Sequence, residues 1–148
     1  MSANNVNMLR HTVAALGYRA AKALDGVSPE FPFYQPEAGV RTPLTILAHM
    51  SDLLDWAVGL VSGQHIWNDS NPTGWNAEVD RFFAALSTFD RSLTAADPST
   101  VPCERLFQGP IADALTHVGQ IAMLRRMAGC PMRSANYFKA DITAGTFD

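Results

Sequence analysis

Asp113 and His117 stand one helical turn apart in a segment that otherwise reads as a buried, apolar helix, IADALTHVGQIAMLRRMAG. A second histidine, His49, falls on the apolar face of another helical stretch, TPLTILAHMSDLLDWAVGLV. Imidazoles and a carboxylate on apolar faces are costly unless something satisfies them, because buried polar groups need partners. A divalent cation would satisfy all three together. Residues at i and i+4 stack along one face, so Asp113 and His117 can converge on one ion, as paired ligands do in H-E-x-x-H zinc sites. Two ligands from one helix and one from another leave coordination positions open, which is the arrangement of catalytic rather than structural zinc. A mixture of imidazole and carboxylate suits Zn, Ni, Fe or Mn. In such a site the metal lowers the pKa of a bound water and makes it a candidate nucleophile or base.

The same residues have plainer readings. His49 alone on an apolar face is more often a core histidine with a hydrogen bond than a ligand. Asp113 sits near the expected start of its helix, where a carboxylate is stabilised by the dipole. Gln120, beside His117 on the same arc, and Asp52, one turn past His49, are expected to orient ligands or substrate from outside the metal shell. For Asp52 a solvated acid is the other reading. His65 and Trp67, on the loop after the second helix, are candidates for the mouth of a pocket or simply exposed loop residues. Glu78, at the edge of the third helix, is one more candidate acid.

Four helical segments must position these groups. The first, about Asn4 to Leu24, has an apolar stripe at Val6, Leu9, Val13, Leu16, Ala20 and Ala23, spaced by threes and fours. Residues 27–41 contain three prolines and predict an irregular connection whose aromatics Phe31, Phe33 and Tyr34 pack over the helices. Thr42-Pro43 is a start signal, a hydroxyl cap before a first-turn proline, and the second helix is expected to run to about Ser62. The third spans about Trp75 to Leu93. The fourth is expected to begin near Pro110 and end at Gly129, with Arg125 and Arg126 in its last turn, where cations suit the dipole. The tail from Met132 is expected to hold a short helix around Ser134 to Ile142. No segment alternates as a strand does. These elements predict an all-α single domain over residues 1–148, a four-helix bundle with a long connection between helices one and two.

Composition narrows the functions. The net charge of −3, with 11 scattered Lys and Arg residues, argues against nucleic acid, whose binders need a basic stripe. No run of about 18 apolar residues is free of polar interruption, so no membrane span is expected. The N-terminus lacks a basic leader followed by an apolar core, and the two cysteines, Cys103 and Cys130, lack metal-type spacing. The expected location is the cytoplasm, with both thiols unpaired, although a disulfide between them is an alternative. Only 17% of residues are charged, which leaves weakly polar helical faces and predicts a homodimer.

The strings THVGQIAMLRRMAG, RTPLTILAHMSDLLDW and WNAEVDRFF together resemble the DinB-like metal-binding superfamily, over about Leu9 to Gly145. The resemblance implies a four-helix bundle with a long crossover. It also implies a divalent metal, zinc or nickel, held by one histidine on helix two and a pair four residues apart on helix four. His49 and His117 match two of these positions, and Asp113 stands where the family pattern has a histidine. Some relatives are thiol-dependent S-transferases or isomerases using a low-molecular-weight thiol such as bacillithiol or mycothiol, and others are metal-dependent hydrolases acting on small molecules. Fold kinship alone does not choose among them. The competing reading is a non-enzymatic, stress-associated or structural dimer in which the polar triad is hydrogen-bonded without metal.

Overall fold

The computed structural model describes residues 2–147, and among these there is no strand. Helix α1 spans Ser2–Leu24, α2 Pro43–Val61, α3 Trp75–Ala95, and α5 Ala112–Met127. A short helix, α4 (Cys103–Leu106), leads into α5 through a π-helical turn, Phe107–Ile111. The contacts of the long helices run in a ring, α1 to α3 to α2 to α5 and back to α1. Their inward faces form one apolar cluster that includes Val13, Leu16, Leu47, Leu54, Phe82, Phe89 and Ile121.

The start of α2 follows its sequence signals. Thr42 accepts a bond from the Thr45 amide at 3.3 Å, and Pro43 occupies the first turn, where its missing N–H is no loss. Gly63 turns the chain out of the helix with φ of 82°, a conformation that favours glycine. By length and composition alone α2 is apolar enough to cross a membrane, with a mean hydropathy of 1.4, contrary to the expectation drawn from its polar interruptions. However, 67% of that window is buried inside the protein, so its apolarity serves the core. On α1 all six stripe residues are buried. Gly17 is also buried because α3 and the tail press against it: a Cβ there would lie 2.8 Å from Leu86 and 3.2 Å from Phe147.

Three expectations are corrected. The fourth helical path begins at Cys103 rather than near Pro110. Pro110 lies inside it, where it has no N–H to donate and would clash with the preceding turn of an α-helix. The wider π turn accommodates it without breaking the path. The tail forms no helix over 134–142, only a turn at 137–139. It is held instead by side chains, with Tyr137 edge-on to Tyr18 at 6.2 Å and under the Arg19 guanidinium at 3.9 Å. In the 27–41 connection Phe31 is buried edge-on to Trp75, but Phe33 is 69% exposed and covers nothing.

Candidate metal centre

The early start of the fourth path changes what Asp113 does. Ile111, just before α5, is already helical and gives no side-chain cap, so there is no free helix end for the Asp113 carboxylate to serve. Its Oδ2 lies 3.5 Å from His117 Nε2 on the same helix and 3.5 Å from His49 Nε2 on α2. Potential ligand atoms of the three residues all lie within 4.8 Å of one another, and the two imidazoles meet at 87° with centroids 4.9 Å apart. Periodicity put each histidine on an inward face, and packing of α2 on α5 brings them together.

These distances bear on what the triad can hold. A nitrogen-to-oxygen hydrogen bond runs at about 2.7–3.2 Å, so 3.5 Å is too long for a good one. Two ligands each about 2.0–2.2 Å from one ion, at the tetrahedral angle, lie about 3.3–3.6 Å apart. Both carboxylate–imidazole separations fall in that range. Two of the three separations thus match ligands of one ion, and the three donor atoms, all within 4.8 Å of one another, are close enough to hold a divalent cation. Exposure is graded across the site: the His117 side chain is 11% exposed, His49 24% and Asp113 48%. The open side is the Asp113 side, where a small molecule can approach.

Gln120 lies beside His117, where the helical arc places it. Its Oε1 lies 2.7 Å from His117 Nδ1, so the ring presents N–H there and leaves Nε2 free as a ligand towards Asp113 and His49. Trp67 lies over His49 at 5.6 Å and edge-on to Trp56 at 5.7 Å. It is thus a wall of the site rather than a free loop residue. His65 lines a separate cavity of about 670 Å³ with Trp56, Arg105 and Leu106.

No protein-family model, curated protein or solved structure matches the chain.

Asp52 is not the solvated acid of the plainer reading, being buried, and its partners lie away from the triad. Its Oδ2 accepts from the Ser70 amide at 3.1 Å and its Oδ1 from Arg81 Nη2 at 3.0 Å, and it makes no bond to the triad. Glu78 is likewise taken, accepting from Arg81 Nε at 2.9 Å. Burial works against the Arg81 charge, but hydrogen bonds to Glu78 and Asp52 and their attraction outweigh it, holding the guanidinium above its ordinary value. Three of the partners of Arg81, Ala48, Asp52 and Asp55, lie 26–33 residues away on α2 and only the packing brings them to it, whereas Glu78, one turn earlier on α3, is a signal the sequence offers. Arg125 differs from the helix-end cation that its place in the last turn predicts. It is 4% exposed and donates to the carbonyls of Ala23, Asp25 and Cys130 at 2.9, 2.6 and 2.8 Å. A signal was available: Arg125 follows Ile121 by four residues and so faces inward with it. Cys103 and Cys130 are both free, and burial pushes the Cys103 thiol up, away from ready thiolate chemistry.

Proposed function

We propose that the chain is a DinB-like four-helix bundle, with the 25–42 segment as its long crossover, in which His49, Asp113 and His117 hold zinc or nickel for chemistry on a small molecule. The observation that carries this reading is the pair of equal 3.5 Å separations about Asp113 Oδ2, too long for strong hydrogen bonds and right for a common ion. The ring of helix contacts supports the crossover, since α1 and α2 each pack on α3 and α5. When bound, the ion supplies Lewis acidity that activates a water or a thiol. Gln120 fixes the His117 tautomer, Trp67 shields His49 on one side, and half-exposed Asp113 leaves the approach open. The reaction is transfer to or from a low-molecular-weight thiol, or hydrolysis. The protein works in the cytoplasm as a homodimer, a reading supported by its low charge and by exposed Met127 on α5.

Metal analysis of protein purified without a metal-affinity tag tests this directly. The expected result is one zinc or nickel per chain, lost in His117→Ala. At a free zinc level of about 100 times Kd the metal should raise the unfolding free energy by about 2.7 kcal/mol, an increment absent from the variant. No metal uptake, with zinc leaving the unfolding curve unchanged, would return the triad to a hydrogen-bonded structural role. With metal confirmed, electrophile assays with and without added thiol separate transfer from hydrolysis.

A further inference from the structure

A cavity of about 530 Å³ opens beside the triad, and His117 and Gln120 form one of its walls. The rest of its lining is apolar, from Val40, Ile46, Met123 and Leu124, with one exception, Arg41. Arg41 is exposed, and among the described residues it makes no ion pair and no side-chain hydrogen bond. Several other arginines are engaged, Arg10 by Asp90, Arg81 by three carboxylates and Arg125 by carbonyls, whereas Arg105, Arg126 and Arg133 share the free state of Arg41 but do not border the cavity beside His117. A chain with a net charge of −3 thus keeps a free guanidinium at the rim of an apolar cavity that shares a histidine with the metal centre. Pockets of this size, mostly apolar with a few placed polar groups, are those that take small organic ligands.

We propose that this cavity binds an organic carboxylate with an apolar body, its anion on Arg41 and its apolar part against Ile46, Met123 and Leu124, beside His117. A guanidinium offers paired N–H donors matched to the two oxygens of a carboxylate. The apolar lining gains from burying hydrocarbon at its side. An acid so seated meets the triad through His117, the one member that lines the cavity, rather than from the open Asp113 side, and on the proposed metal reading it is the substrate class we assign. The reaction depends on that metal reading, whereas the binding of the carboxylate does not.

The test is a titration of wild-type protein with 4-phenylbutyrate and, separately, 4-phenylbutanol, followed by amide chemical shifts, with bound zinc measured on the same samples. The carboxylate should shift Val40, Ile46 and Met123 and bind more tightly than the alcohol. Arg41→Gln should weaken the carboxylate about tenfold, as loss of a charge-assisted bond does, and change the alcohol by less than about twofold. Arg41→Lys, which keeps the charge, should recover part of the loss. Equal binding of acid and alcohol, no effect of Arg41→Gln, or shifts centred elsewhere would overturn the proposal. So would loss of carboxylate binding in His117→Ala but not in Arg41→Gln, since the acid would then sit on the ion. Arg41-dependent binding in protein that takes up no zinc would sustain the subsite and sink the metal reading alone.

Discussion

His49 and Asp52 leave α2 three residues apart, and each meets polar side chains from another helix. Around Asp52 every group is matched. Arg81 reaches Glu78, Asp55, Ala48 and Asp52 at 2.9–3.0 Å and the Ser70 hydroxyl at 2.7 Å. The cluster ties α2, α3 and the loop after α2 into one piece. Around His49 the contacts stand at 3.5 Å, and the one short bond, from His117 to Gln120, orients a ring rather than filling the centre. A cluster closed at hydrogen-bond length has no room for anything further. One held open by rigid helices at ligand spacing keeps its capacity for a ligand, and this geometric difference separates scaffold from site more surely than residue type does.

The comparison is most exposed to failure at Arg81. Arg81→Met leaves Asp52 and Glu78 buried without their cation, and stability should fall by about 3 kcal/mol, as when one partner of a buried pair is removed. Urea unfolding of the metal-free protein measures this, and a loss below about 1 kcal/mol would mean the cluster is not the clasp it resembles. Gln120→Ala probes the open cluster. It should leave the fold intact and weaken zinc about tenfold in competition with a chelator, the usual effect of losing a ligand's outer partner. Unchanged zinc affinity would show that the His117 tautomer needs no support. The smallest effect belongs to Asp55. Burial pushes its carboxyl up, against the pull of Arg81, so the fold disfavours its ionised form, and its contribution to stability declines as pH rises through the carboxylate range. Asp55→Asn should remove that decline while changing stability at neutral pH by less than about 1 kcal/mol. A steeper rather than flatter profile of unfolding free energy against pH would contradict the sign.

How far the sequence went is clearest on α5. The helical period put Asp113, His117 and Ile121 on one face, and Gln120 beside them, because each residue turns about 100° whatever surrounds it. The start of that path was misplaced. Proline preference for first turns is a statistical tendency of helices, and here a π turn carries the path through Pro110 instead. Asp113 was thereby left open to two readings, a helix-end anion or a metal ligand, and only the helical residues upstream of it removed the first.

Pattern along the chain was enough to expect four long helical segments and to put His49 and His117 on inward faces with Asp113 one turn away, since side-chain direction in a helix depends on local geometry; that Asp113 is half-exposed follows from the packing. Which faces meet is another matter. The approach of His49 to Asp113, the capture of Asp52 by Arg81, and the place of Trp67 and Arg41 beside the triad all join residues far apart in the chain. Those contacts follow from how whole helices and their loops fit together to bury the most apolar surface, a collective outcome that no single segment encodes.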